Sequence, residues 1–230
     1  MQNKSEMDAT QLELVHAAAQ RGVPQALLLL GQMLLDGDQV ERSPQRAFFC
    51  FERAAQSGDA MAMNMVGRCL DQGWGIAPSQ YLAEKWFRRA AELGLDWGMY
   101  NLATMLLLGK DGVSICREEA FQWLLKASEL GHVKSKNLLG GFYEDGWVVA
   151  TDIKKARRYY REAAHGGDFR GQFNFARLLL QEGDALGALY WLRKTPESAT
   201  PAFLKKMRQY LDHESIPQSV RCFAENLAVA

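Results

Sequence analysis

Four histidines, four cysteines and scattered carboxylates are the residues with which this chain could make or break bonds, and their spacing argues against it. His16, His132, His165 and His213 lie far apart and form no i, i+4 pair of the kind that holds zinc on a helix. His132 and His165 flank glycines that close helices, a place where a cation suits the helix dipole. Cys50, Cys69, Cys116 and Cys222 show no CxxC spacing, so they read as free thiols of a reducing compartment. There is no nucleophile elbow, phosphate-binding loop or HExxH; Gly73-Trp74-Gly75 reads as loop punctuation and Glu118-Glu119 as the acidic opening of a helix. No catalytic residue, cofactor or metal is expected. What remains is recognition chemistry: amides, guanidinium groups and aromatic rings able to hold a peptide without reacting with it.

Composition narrows the partner. Lysine plus arginine and aspartate plus glutamate both number 27, so the net charge is zero. Such balance excludes a general nucleic-acid or membrane-surface binder, whose footprint is excess positive charge. The basic run Lys154, Lys155, Arg157, Arg158, Arg161 is interrupted by Asp152 and Glu162 and reads as a solvated outer helix face. No apolar run approaches the roughly 20 residues of a membrane span. The opening MQNKSEMDAT has no apolar core of a signal peptide, so a cytoplasmic location is expected unless a leader has been removed.

Any binding residues must be positioned by a repeat. A small residue recurs as Gly31, Gly67, Ala103, Gly140 and Ala176, at spacings of 36, 36, 37 and 36. A second landmark, Gly22, Gly58, Gly94, Gly131 and Gly167, keeps the same spacings. A fixed period of this length means stacked units that bury their apolar faces on one another. Each unit begins with a helix A, with apolar residues just before the small landmark and three after it, as in Val66 and Leu70. A glycine follows (Gly37, Gly73, Gly109, Gly146), then an apolar loop residue (Val40, Ile76, Val113, Val149) read as a plug. Helix B begins near Ala47, Ala83, Ala120, Ala156 and Ala188. Three residues on come Cys50, Trp86, Trp123, Tyr159 and Trp191, expected in the core. Residues 1–24 are expected to cap the array, residues 25–195 to form five repeats, and residues 196–230 to close it with two further helices, all as one continuous domain.

The pattern A-x4-[LVF]-[GA]-x2-[LY]-x2-G, an apolar loop residue, then A-x2-W-x3-AA-x2-G resembles the Sel1-like repeat, and Ala62 to Gly94 is its clearest copy. The period separates it from the 34-residue tetratricopeptide repeat. The resemblance implies an all-α fold, a right-handed α-solenoid of helix-turn-helix units of about 36 residues with capping helices at both ends. It also implies a scaffold or adaptor that binds another protein or peptide on its concave side. Some bacterial members act as immunity partners that sequester a toxin. A cysteine-rich branch is linked to β-lactam hydrolysis, but its two cysteines per unit are missing here, and that activity is not carried over.

By analogy with tetratricopeptide geometry, the concave groove is lined by helix-A positions on either side of the landmark. From the second unit these are Asn64, Arg68, Asp71 and Gln72, and from the third Trp97, Tyr100 and Thr104. The fourth supplies Asn137 and Glu144, and the fifth Phe173 and Arg177. Trp74 and Trp147, seven residues after Gly67 and Gly140, could stand at the rim as exposed anchors.

Overall fold

Helix boundaries fall where caps and glycines put them in the computed structural model, which describes residues 8–109 and 111–227. Among these residues there are thirteen α-helices and no strand. The chain clusters into two compact units, split between Ala127 and Ser128.

The first unit holds α1 (Ala9–Gln20), α2 (Pro24–Asp36), α3 (Pro44–Gln56), α4 (Ala60–Gln72), α5 (Gln80–Glu92), α6 (Asp96–Leu108) and α7 (Arg117–Glu129), whose last two residues pass into the second unit. Asp8 caps α1 through a reciprocal pair with Gln11; residues 1–7 of the expected cap lie outside the described residues. Pro24 and Pro44 open α2 and α3, where a missing N–H costs nothing. Gly37, Gly73 and Gly109 end α2, α4 and α6 in the left-handed conformation, each N–H donating to a carbonyl four residues back. Each loop is then pinned by one main-chain bond: Ser43 to the Leu34 carbonyl (2.8 Å), Ser79 to Leu70 (2.9 Å) and Cys116 to Leu106 (3.0 Å).

The second unit holds α8 (Val133–Asp145), α9 (Ile153–His165), α10 (Phe169–Gln181), α11 (Ala185–Lys194), a 3-10 turn (Thr195–Glu197), α12 (Pro201–Leu211) and α13 (Gln218–Glu225). Gly146 ends α8, and the Asp152 N–H reaches the Tyr143 carbonyl at 2.8 Å, the same closure again. The loop after α10 is shorter, yet Asp184 still bonds back to Leu179 at 2.8 Å. Leu204, Met207, Leu211, Ile216, Val220 and Ala224, from the two closing helices and the link between them, share one buried cluster with α10 and α11. This covers an apolar face that would otherwise meet water.

The landmark is glycine where an aromatic ring lies on it. A Cβ on Gly67 would stand 2.7 Å from the Phe87 ring, and Gly31 and Gly140 are covered in the same way by Phe51 and Tyr160. These rings are four residues past the helix-B alanine; of the residues three past it that were expected in the core, Cys50 and Trp191 are buried and the other three are not. Phe51, Phe87, Leu124, Tyr160 and Leu192 are the buried set, while Trp86, Trp123 and Tyr159 are only half-buried. The reason is helical: at about 3.6 residues per turn i+4 lies about 40° to one side of i and i+3 about 60° to the other, so the former keeps closer to the buried direction of the alanine. The expected loop plug is buried at Val113 and half-buried at Val40 and Val149, while Ile76 is exposed. His132 serves an N-terminus, not a C-terminus: its Nδ1 accepts the Ser135 N–H at 3.3 Å as the cap of α8.

Candidate partner-binding site

In the first unit, α4 and α6 are consecutive A helices, and the space beside them is a pocket of about 490 Å³. Five of the residues expected to bind a partner meet there: Arg68, Asp71, Gln72, Trp74 and Thr104. Asn101, Met105 and Leu108 of α6, with Gln80 and Phe87 of α5, complete the wall.

Arg68 is exposed on the outer face of α4, one residue past the glycine that lets Phe87 approach. Its guanidinium lies 5.0 Å over the Trp74 ring, and Nη1 is 3.6 Å from the Met65 sulfur. Among the described residues it has no ion pair; Asp71, the carboxylate lining the same pocket, accepts from Gln72 instead. Gln72 donates to the Asp71 carboxylate, and Gln80 Nε2 donates to the Asp71 carbonyl at 3.1 Å, which fixes that wall. Thr104 Oγ1 donates to the Tyr100 carbonyl at 2.9 Å, leaving its lone pairs toward solvent. Trp97, 40% exposed, stands edge-on to Tyr100 with centroids 6.2 Å apart, an aromatic shelf on α6.

Asn64 departs from the expectation. It is 3% exposed, and its Oδ1 accepts from Asn101 Nδ2 at 2.8 Å, joining α4 to α6. Asn137 in the second unit is 7% exposed and accepts from Asn174 Nδ2 at 2.9 Å, joining α8 to α10. Three residues before the landmark is thus a position between A helices, not on their open face. A buried amide there needs a partner, and the next unit supplies it.

The other second-unit residues are also engaged. Glu144 is paired with Arg177 and accepts from the Tyr160 hydroxyl at 2.7 Å. Burial pushes the Glu144 carboxyl up, but the hydrogen bonds from Arg177 and Tyr160 outweigh it and hold it below the usual carboxylate range. Burial and the bond to Glu144 push the Tyr160 phenol far up, so it stays neutral. Phe173 is covered by α12, edge-on to Phe203 at 5.6 Å and to Tyr210 at 5.4 Å. Trp147 is 43% exposed, with its ring edge-on to Phe142 at 5.8 Å, while its counterpart Trp74 lies half-buried under Arg68.

Helix pairs that share one loop closure, three of them with a ring on a glycine and two bonded to the next pair through asparagines, define an all-α solenoid of helix-pair repeats. The chain belongs to the Sel1 repeat family, whose model matches residues 24–59, 60–95, 98–132 and 133–168, more than half of its length. It is 31% identical over 130 residues to chitin synthase regulatory factor 3 of Schizosaccharomyces pombe, a match covering 56% of this chain and 14% of that protein. The chain therefore spans only a small part of that relative.

Among solved structures, a Sel1 repeat protein from Oxalobacter formigenes superposes with a TM-score of 0.76 at 24% identity, over 89% of this chain and 86% of the other. A protective antigen of uropathogenic Escherichia coli gives 0.79 at 26% identity, over 96% and 53%. An immunity protein from Pseudomonas aeruginosa gives 0.60 at 17% identity, over 88% and 78%, and shares the fold alone. No helix among the described residues is long and apolar enough to cross a membrane.

Proposed function

We propose that this chain is a non-catalytic cytoplasmic adaptor that holds a segment of another protein on the A-helix face of its first unit. The observation that carries the reading is Arg68, stacked on Trp74 and without a carboxylate partner, at the mouth of a pocket that also presents Thr104 and Asn101. Arginine and tryptophan dominate binding energy at protein interfaces, and a guanidinium already flattened on a ring loses little freedom on binding. Membership of a family whose members bind other proteins supports the same reading. Trp97 and Tyr100 extend the surface, and the pair α10–α11 serves as a fifth, shortened repeat beneath its C-terminal cap. Nucleic acid, metal and membrane insertion play no part in this reading. An immunity protein that sequesters a toxin is a narrower form of it, favoured by the shared fold at 17% identity.

The test is affinity capture of the tagged chain from lysate of its source, beside Arg68→Ala/Trp74→Ala and Arg68→Ala/Tyr100→Ala variants of unchanged helicity. One stoichiometric partner, lost in both variants, is the expected result. A partner retained equally by both would remove the pocket from the reading, and a secreted toxin among the captured proteins would select the narrower form.

A further inference from the structure

In the second, third and fifth helix pairs the residue three past the helix-B alanine is Trp86, Trp123 or Trp191, and three further on comes a cation, Arg89, Lys126 or Lys194. Each cation lies over its ring, at 5.0, 4.4 and 5.5 Å from the centroid. The fourth pair has Tyr159 there, stacked on Tyr143, with Glu162 in place of the cation. The Trp191 ring shows what surrounds this position: His165, at the end of the preceding B helix, at 4.9 Å, and Phe175, just before the landmark, at 5.8 Å.

The first pair keeps this frame and lacks the ring. Cys50 stands where the indole stands elsewhere, with Arg53 three residues on, Gln20 in the register of His165 and Leu30 in that of Phe175. All four line a groove of about 380 Å³ between α1 and α3, floored by Leu27, Leu30 and Leu34. No aspartate or glutamate lines it, and Arg46 and Arg53 are at its edge without an ion pair among the described residues. With no indole beneath it, Arg53 reaches across to the Gln20 carbonyl at 3.5 Å and lies 5.9 Å from the Phe49 ring.

We propose that this groove binds an aromatic side chain from an acidic segment of another protein, the ring entering over Cys50 and Arg53 closing on its face. The three Trp–cation pairs in the same chain are the template for the ring, and the two unpaired arginines select the negative flanks. The site is on the helix-B side and is separate from the pocket at Arg68.

The probe is a fluorescein-labelled peptide, acetyl-Asp-Glu-Trp-Glu-Asp-amide, titrated with the full chain by fluorescence anisotropy. Saturable binding is expected, weakened about tenfold or more when the peptide Trp is replaced by Ala or its acids by Lys. Cys50→Trp supplies the ring from within; it is expected to abolish binding and raise the thermal midpoint. Arg46→Glu/Arg53→Glu is expected to abolish binding while leaving the helical signal intact, and it decides the matter should Cys50→Trp not fold. Arg68→Ala is expected to bind the peptide as the parent does, which separates this site from the pocket at Arg68. No saturation up to about millimolar chain, or undiminished binding to the charge-reversed variant, overturns the proposal.

Discussion

The Phe87 ring occupies the place where Gly67 would carry a side chain, 2.7 Å from the position of its missing Cβ. The rule repeats with a matched exchange: glycine faces an aromatic ring in Gly31–Phe51, Gly67–Phe87 and Gly140–Tyr160, while the units with Ala103 and Ala176 carry Leu124 and Leu192 at the ring's position.

Gly67→Ala therefore destabilises the chain although alanine is the better helix former. The overpacking cost of about 1–3 kcal/mol exceeds the gain of about 1 kcal/mol in propensity. The further change Phe87→Leu is expected to restore part of the loss, because it recreates the Ala–Leu pairing of the third repeat. Urea unfolding of the single and double variants checks this; a double variant less stable than Gly67→Ala alone would refute the pairing.

Asn64→Ala takes the bond from the half-buried Asn101 amide, at a cost of about 0.5–1.5 kcal/mol. Asn64→Ala/Asn101→Ala removes both halves and is expected to cost less than the sum of the single changes. A double-mutant cycle by chemical denaturation measures that coupling, and additivity would mean that the bond contributes nothing.

Val148 has φ of +66°, a region that a β-branched residue adopts only under strain. The same place two residues after the capping glycine is Gln39, Gly75 and Asp111 in the other units, all with positive φ. Val148→Gly removes a side chain that is exposed and a strain of about 1–2 kcal/mol. A rise in the thermal midpoint is expected, reduced by the extra freedom of glycine in the unfolded chain. A fall would show that Val148 is held by contacts stronger than its strain.

Acid should act on the second unit through Glu144. Its carboxyl titrates lower in the folded chain than in the unfolded one, so its contribution is complete above the unfolded value and is lost as the pH falls through the folded one. The stability difference between the parent and Glu144→Gln is expected to be constant near neutrality and to shrink below about pH 4. Denaturation at several pH values measures it, and a difference independent of pH down to acid unfolding would rule out this role.

The period, the glycine caps and the helix order were legible in the sequence because each rests on a local backbone requirement. The recurring tryptophans point to Trp86 and Trp123 as core, whereas the fully buried side chains are one residue on, Phe87 and Leu124. Asn64 and Asn137 were assigned to an open face because a polar residue on a helix usually lies there. Only the geometry shows that each meets a second asparagine, 37 residues on. That recurrence, Asn64–Asn101 and Asn137–Asn174, was the signal in the sequence that could have found them. Arg68 and Trp74 were each singled out, but their stacking depends on a loop path that no periodicity encodes. The groove at Cys50 was visible only as a break in a column of aromatic residues.

The main-chain bonds that pin each loop, such as Ser43 to Leu34 and Ser79 to Leu70, have a practical consequence. Because the closure joins backbone atoms on either side, it does not depend on which side chains lie in between, apart from those that bond or pack back, as Arg42 does to the Leu35 carbonyl and Val113 does in the core. Foreign sequence could be grafted between Gly37 and Ser43, as long as the left-handed positions and Arg42 are kept, with the scaffold intact. The architecture is thus also a display frame, whose loops can diverge quickly between relatives while the helices that carry them stay fixed.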